Sequence, residues 1–490
     1  MIEQPAFPRD DSSEEPVLAV DLDGTLVRTD TLVEAVLSLV RARPMALASV
    51  LVALTRGRAG FKAWIADRLL PEDVDSLPLN SALIQWLQTQ RSANRTLLLV
   101  TGADRRVADA VAARTGLFDG VLATENGCNL KGEHKAAALV SRFGPGGFDY
   151  VGDARADIPV WRSARRAIVV GGPSLQQAAS RVAEVVHVIP HDRPRVPAVL
   201  RALRPHQWVK NLLVFVPLIA AHQLTHGPDL LSATLAFLIF GLAASSVYLL
   251  NDLLDLPADR RHPGKRSRPF ASGDLPLVWG LLLAPILLCT AVILSLLFLP
   301  ISFILVLSGY LVLTAAYTLA LKQVPILDVI LLAALYTIRI IAGAAAVSIS
   351  PSYWLLAFSV FIFLSLALCK RYTELLQLAR RGELRAAGRG WTVDDLPLVR
   401  WLGIGSGLAC VLVLALYIHS TPALALYAAP EALWLICPLL IYWLVRLWSK
   451  THRAEMHDDP VVFALKDRAS VLSGALIAGI VMLAATGVPI

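Results

Sequence analysis

Charge is scarce in this chain: Asp, Glu, Lys and Arg make up 17% of its 490 residues, against ~25% in an average soluble domain. Cysteine is rarer still. The five residues are Cys128, Cys289, Cys369, Cys410 and Cys437; four lie inside apolar runs and none has metal-ligand spacing. That excludes a disulfide-stapled secreted module and a thiolate metal site, and leaves small reduced hydrophobes. The opening stretch, MIEQPAFPRDDSSEEP, has no apolar core, so no export signal is expected there. Apolar residues, in contrast, reach 56% and the mean hydropathy is +0.60, which excludes a simple soluble enzyme or a disordered chain. The net charge of +7 could favour nucleic acid. Its placement argues against that, because the basic residues gather in connectors between apolar runs, as on the cytoplasmic side of membrane proteins.

Hydropathy divides the chain in two. Residues 1–190 alternate short apolar runs with charged helical stretches, which predicts an α/β doubly wound domain. LAV before Asp21, LLLV before Thr101, DYV before Gly152 and AIVV before Gly171 are the expected parallel strands. A helical insertion over about 31–92 is too long for a simple crossover. Its apolar stretch Ala46–Leu54 reads as a cap packed over the site, with a membrane-dipping hairpin as the weaker alternative. Residues 191–206 form a Pro/Arg-rich linker in which Val196, Val199, Leu200 and Leu203 share one helical face, as in an interfacial helix.

From residue 207 to 490 the pattern predicts an all-α membrane bundle of nine transmembrane helices, centred near Val216, Phe240, Leu287, Leu311, Ala333, Phe361, Cys410, Leu440 and Ile480. Basic residues fill the connectors after the second, fourth, sixth and eighth spans, and the alternate connectors contain none. The positive-inside rule therefore predicts a multi-pass protein of a bacterial-type inner membrane. Its N-terminal domain and both sites would be cytoplasmic, and its C-terminus would lie on the outer side.

Two motifs carry chemistry in the N-terminal half. VLAVDLDGTL puts Asp21 and Asp23 just past a strand end, where open α/β sheets present ligand groups. Asp21 is the expected nucleophile toward phosphorus, and Asp23 the acid that protonates the leaving alcohol and then the base for water. YVGDARADIP adds Asp153 and Asp157 after a later strand, suited with Asp21 and Asp23 to Mg²⁺. Thr101 is expected to bind a phosphoryl oxygen and Lys131 to neutralise the equatorial charge. DLDG alone would also suit a solvated turn or a Ca²⁺ loop, but the latter lacks its third acidic position. The ordered set resembles the haloacid dehalogenase superfamily over about residues 15–185. That resemblance implies an aspartyl-phosphate on Asp21 and one Mg²⁺. Lys135 competes for the lysine role; Lys131 is preferred on its spacing to Gly152.

In the membrane half, YLLNDLLDLPADRRHPGKRSRP places Asn251, Asp252, Asp255 and Asp259 three and four residues apart, on one face of a continuing helix. Such carboxylates at a membrane boundary repel one another unless cations neutralise them. One or more Mg²⁺ ions on a diphosphate would do so, with Lys265, Arg266 and Arg268 gripping the diphosphate. NDxxDxxxD followed by HPxKxxRP resembles the UbiA-type superfamily of intramembrane prenyltransferases. RPHQWVKN, YTIRIIAG, KRYTEL and DDPVVFALKDR bring the resemblance closest to its decaprenyl-phosphate phosphoribosyltransferase branch. The usual second DxxxD motif is replaced by KRYTELLQLARRGEL, a shift from metal ligands to cations. Lys370, Arg371, Arg339 and Lys210 are the candidates for further phosphate groups. A structural pairing with Asp328 is the alternative for Arg339, and simple snorkelling the alternative for Lys210. Asp458, Asp459 and Asp467 could complete the metal site or fold over it.

The resemblances imply a transferase that moves 5-phosphoribose from phosphoribosyl diphosphate to a polyprenyl phosphate in the bilayer, with a fused phosphatase that removes the 5-phosphate. The alternative is transfer of a prenyl chain from prenyl diphosphate to an aromatic acceptor, with an independent phosphatase. Neither involves nucleic acid, and a homo-oligomer is compatible with both.

Overall fold

The computed structural model describes residues 15–486 apart from 44–45, 54, 56, 69–70, 126–128, 191–194, 386–388 and 457–458. Cys128 and Asp458 thus lie outside the described residues. Two compact units emerge, one of Met1–Leu203 with Tyr248–Leu283, the other of Arg204–Val247 with Ala284–Ile490. The connector carrying the membrane acidic motif therefore clusters with the N-terminal half.

The first unit is built on six strands, β1 (Val17–Val20), β2 (Leu97–Asp104), β3 (Gly120–Thr124), β4 (Phe148–Gly152), β5 (Arg166–Val170) and β6 (Glu184–Ile189). They form one sheet in the order β3-β2-β1-β4-β5-β6, every pair parallel. The four runs expected as strands are the central four. Alternate residues feed opposite faces: Leu18, Val20, Leu97 and Leu99 enter one core, while Ala19, Leu98, Val100 and Tyr150 enter the other. Both faces are covered, so the strands read as unbroken apolar runs.

The insertion between β1 and β2 holds five helices, α1 (Thr31–Ala42), α2 (Ala46–Ala53), α3 (Gly57–Ala66), α4 (Pro71–Asp75) and α5 (Ser81–Ser92). Ala35, Val50, Ala53, Phe61 and Ile65 give the cap a core of its own. Leu83 and Leu87 of α5 instead join the sheet core, so the cap is shorter than 31–92 at its C-terminal end. The remaining crossovers are α6 (Arg105–Thr115), α7 (Glu133–Phe143), α8 (Ile158–Ser163) and α9 (Pro173–Ser180), followed by α10 (Arg195–Leu203). On α10, Val196 and Leu200 are exposed and Val199 and Leu203 half-buried.

The membrane elements are α11 (Val216–Ala220), α12 (Gly227–Leu254), α13 (Leu256–Arg261), α14 (Leu277–Phe298), α15 (Ile301–Leu319), α16 (Leu327–Ala346), α17 (Tyr353–Arg381), α18 (Leu396–Ile418), α19 (Thr421–Leu426), α20 (Ile436–His452), α21 (Pro460–Lys466) and α22 (Arg468–Thr486). Among the described residues eight helices, not nine, are long and apolar enough to cross a membrane. The expected first span is a 3₁₀ helix, Pro205–Phe215, followed by the five-residue α11. Pro205 only opens the 3₁₀ piece, where its missing N–H costs nothing, and the change to α geometry comes at Val216, with Pro217 in the first turn of α11, so the segment is two short pieces and not one span. The outward C-terminus inferred from nine crossings depends on this broken segment. The lipid-facing character of the long helices is plain on α14, where Leu282, Ile286 and Leu297 are all more than half exposed. In the second unit the most enclosed span is α16. At its Gly343 a Cβ would run into the Val214 carbonyl, so glycine admits the 3₁₀ segment against this helix.

Candidate active sites

Chain order reverses direction across the sheet at β1, with β2 and β3 on one side and β4 to β6 on the other. Ligands of open α/β sheets bind at such a switch point, beyond the strands' carboxyl ends. Asp21 follows β1 directly, and its amide donates to the Val151 carbonyl of β4 (3.0 Å). Asp153 follows β4 directly, and Asp157 closes the 3₁₀ turn after it. One carboxylate oxygen from each of Asp21, Asp153 and Asp157 lies within 4.8 Å of the others.

Neighbouring side chains fix this triad. Thr25 donates to Asp153 Oδ1 (2.9 Å) and the Ala154 amide to Asp157 Oδ2 (3.1 Å). Gly24 has φ +78°, and a Cβ there would strike the Asp153 carboxylate; glycine supplies both the left-handed turn and the room. Lys135 Nζ lies 2.9 Å from Asp21 Oδ1 and 3.8 Å from Asp157 Oδ1, and donates to Tyr150 Oη (2.9 Å), which donates in turn to Asp157 Oδ1 (3.0 Å).

Electrostatics follow from this crowding. Burial, then Asp21 and Asp157, push the Asp153 carboxyl up to about 8. Burial and Asp21, opposed by Lys135, bring Asp157 to about 6. Burial disfavours the Lys135 ammonium, but Asp21 and Asp157 outweigh it and raise its pKa. One lysine thus leaves the carboxylates under-compensated, and three converging oxygens fit the hard-cation preference of Mg²⁺. Asp23, expected among the metal ligands, lies outside this converging group. Its Oδ1 accepts the Thr31 amide (2.8 Å). Burial, then Asp30, push its carboxyl up to about 7, so it can carry a proton near neutrality.

A cavity of about 550 Å³ opens over these groups. The sheet side supplies the acids, Gly102 and Lys131, and the cap supplies Leu32, Ala35, Phe61, Lys62 and Ile65. Two expectations are corrected. Lys131 is exposed on the cavity wall, whereas the lysine on Asp21 is Lys135, one helical turn later. Thr101 is fully buried and its hydroxyl accepts the Ala103 amide (2.9 Å). Tyr150 and Lys62 were not anticipated. A tyrosine in a buried strand needs a partner for its hydroxyl, which was a usable signal; Lys62, which donates to Gly102 O and Asn129 Oδ1, offered none.

The membrane acidic motif sits where α12 gives way to α13 at Asp255. The backbone keeps its i→i+4 bonds across the break, from Asp255 to Asn251 (2.9 Å) and from Asp259 to Asp255 (2.8 Å). Asp252 and Asp259, seven residues apart, therefore share a face. Both are buried and both receive Arg268 Nη1, at 3.1 and 2.5 Å. The guanidinium stands where a cation is wanted, so the donor set fits Mg²⁺; Arg268 itself, expected on the diphosphate, is held by the aspartates. Asp255 is half-buried outside this pair. In the same unit Arg260 of α13 donates to both oxygens of Glu34 in α1 (3.1 and 2.5 Å).

The second unit gathers a different set. Asp459 Oδ2 accepts Lys210 Nζ (2.8 Å) and Lys370 Nζ (3.3 Å), and Tyr336 Oη lies 3.3 Å from Oδ1. Burial would raise the Asp459 carboxyl, but Lys370 and Lys210 outweigh it and hold it well below its ordinary value. Arg339 is buried and bonded to Asn211 Oδ1 (3.0 Å) and Tyr310 Oη (3.4 Å). Asp328 pairs instead with Arg371 (2.7 Å) and Arg389 (3.4 Å). Arg371, expected to meet substrate phosphate, is thus a buried strut between Asp328 and Glu374. Asp467, expected near the metal, pairs with Arg446 and caps α22.

Fold and geometry together define a multi-pass membrane protein with an α/β hydrolase-type domain at its N-terminal end. Residues 212–484 match the UbiA prenyltransferase family and residues 18–162 the haloacid dehalogenase-like hydrolases. The chain belongs to the UbiA prenyltransferase family and carries a haloacid dehalogenase-like hydrolase domain ahead of it. It is 38% identical to the uncharacterized protein y4nM of Sinorhizobium fredii, over 95% of this chain and 90% of that one. It is also 36% identical to the nodulation protein NoeC of Azorhizobium caulinodans (55% of this chain, 88% of that one). A decaprenyl-phosphate phosphoribosyltransferase of Mycolicibacterium smegmatis shares 32% identity (56% of this chain, 87% of that one).

Proposed function

We propose that the membrane domain transfers 5-phosphoribose from phosphoribosyl diphosphate to a polyprenyl phosphate, and that the N-terminal domain then removes the 5-phosphate. The observation that carries the first step is the likeness to a decaprenyl-phosphate phosphoribosyltransferase across most of that protein's length. The buried cations Lys210 and Arg339 support it, as a second phosphorylated ligand needs positive charge. Asn251, Asp252, Asp255 and Asp259 are the residues that would hold Mg²⁺ and the donor's diphosphate, together with Lys265 and Arg266. An oxygen of the acceptor phosphate attacks the anomeric carbon, the C–O bond to the diphosphate breaks, and pyrophosphate leaves.

In the N-terminal domain Asp21, Asp153 and Asp157 would hold Mg²⁺, which supplies neutralisation of the phosphoryl oxygens when bound. Lys135 steadies the Asp21 carboxylate. Asp21 attacks phosphorus, the bond to the leaving alcohol breaks, and Asp23 gives that alcohol its proton. Water then attacks phosphorus while Asp23 takes a proton back, which releases phosphate and restores Asp21. The connector charges support placing both sites on the cytoplasmic face of an inner membrane.

The test is mass spectrometry of the lipid made by purified full-length protein from Mg²⁺, phosphoribosyl diphosphate and a polyprenyl phosphate. Wild type should yield the dephosphorylated pentosyl lipid, and Asp21→Asn the 5-phosphorylated one. Dephosphorylated product from Asp21→Asn refutes the phosphatase role; product only from prenyl diphosphate and an aromatic acceptor refutes the transferase role.

A further inference from the structure

Lys210 and Lys370 reach one carboxylate oxygen, Asp459 Oδ2, from two separate elements. Lys210 and Asp459 are each about nine-tenths buried at the side chain. Lys210 Nζ and the Arg339 guanidinium also lie 5.7 and 5.8 Å from the Tyr336 ring centroid. Two cations therefore flank this ring, and the third, Lys370, joins them through Asp459. Among the described residues Arg339 has no carboxylate partner, so the cluster is short of negative charge. Beside Arg339, the amide nitrogen of Asn211 is buried without a hydrogen-bond acceptor. Buried donors of this kind are normally satisfied, so an acceptor-rich anion is the missing partner.

We infer that Asp459 is a placeholder for the phosphate of the acceptor lipid, and so a specificity-determining residue of the membrane site. This rests on the reading that the membrane domain takes a phosphorylated acceptor. The carboxylate holds Lys210 and Lys370 together and limits their mutual repulsion. A phosphate dianion brings more charge and more oxygens than a carboxylate, so it displaces Asp459 and collects both lysines. A lipid alcohol cannot compete, and is rejected. Asp459 is also the N-cap of α21, accepting the Val461 amide (3.1 Å). Asparagine serves equally at an N-cap, so Asp459→Asn removes the charge and keeps the cap.

The experiment is equilibrium binding of farnesyl phosphate and of farnesol to full-length wild type and Asp459→Asn in nanodiscs, with Tyr336→Phe as a second variant. Asp459→Asn should bind farnesyl phosphate about tenfold more tightly than wild type, since a charged hydrogen-bonded competitor has gone. Tyr336→Phe, which loosens the carboxylate without changing charge, should shift the same way by less. Farnesol should remain weak in all three. In turnover the gain belongs in the KM for polyprenyl phosphate, with the Mg²⁺ requirement unchanged. Equal or weaker binding of farnesyl phosphate by Asp459→Asn overturns the inference, as does a raised Mg²⁺ requirement. No binding of farnesyl phosphate to wild type or either variant overturns the phosphorylated-acceptor reading itself.

Discussion

Replacing Asp23 by asparagine isolates one proton. The asparagine Oδ1 can still accept the Thr31 amide that now lies 2.8 Å from Asp23 Oδ1, so the loop keeps its anchor. Folding should not suffer, because the substitution removes a buried acid that sits against Asp30 and Asp21; Tm should hold or rise. What disappears is proton delivery to the leaving oxygen. General acid catalysis is worth about 10²–10⁴ in rate, or ~2.7–5.5 kcal/mol of barrier. The loss must depend on the leaving group. For ribose 5-phosphate, an alkyl ester, turnover should fall by the full factor. For p-nitrophenyl phosphate, whose phenolate leaves without help, the first step should survive while attack of water on the aspartyl-phosphate slows. The variant should then release a burst of one nitrophenolate per enzyme followed by slow turnover. Stopped-flow absorbance reads the burst, and a coupled phosphate assay reads the alkyl ester. Equal losses on both esters with no burst would refute the assignment of Asp23 as the acid.

Three other substitutions separate site from scaffold. Lys135→Ala should abolish phosphate-ester hydrolysis and lower Tm, since breaking a buried ion pair costs about 3–5 kcal/mol, whereas Lys131→Ala should keep wild-type Tm and most activity; hydrolysis assays with scanning fluorimetry check both. Arg371→Met should destabilise the membrane domain by a similar amount while leaving the KM for either phosphorylated substrate unchanged in the folded fraction, and a raised KM with unchanged Tm would return Arg371 to the binding site.

The central strands were legible because β1, β2, β4 and β5 are buried on both faces and so run as uninterrupted apolar segments. The edge strands were not. In β3 only Thr124 is buried, and in β6 exposed Glu184 and half-exposed His187 interrupt the run. The eight long spans declare themselves by length and hydropathy together, while the segment around Val216 divides into a 3₁₀ helix and the five-residue α11, neither long enough to cross. The carboxylates of the N-terminal site were readable because Asp21 and Asp153 follow directly on β1 and β4, and Asp23 and Asp157 come within five residues of those strand ends. The lysine was misassigned by loop spacing, although helical periodicity was available: Lys135 shares the buried face of α7 with Leu139, four residues on, and Lys131 precedes the helix altogether.

The membrane half shows why local spacing stops there. Arg339 and Arg371 look alike in sequence, each a cation within or at the end of an apolar helix, and both are buried. Arg371 meets Asp328, 43 residues away, and Glu374; its charge is answered and it braces the bundle. Lys210 meets a carboxylate 249 residues away, and Arg339 meets none among the described residues. A buried cation is expensive unless something negative faces it. The difference between strut and binding group therefore lies in pairings across long stretches of chain, which only the fold reveals. Among the described residues Lys210, Lys370 and Arg339 are answered by one carboxylate, Asp459, and that imbalance is what the proposed phosphate acceptor would correct.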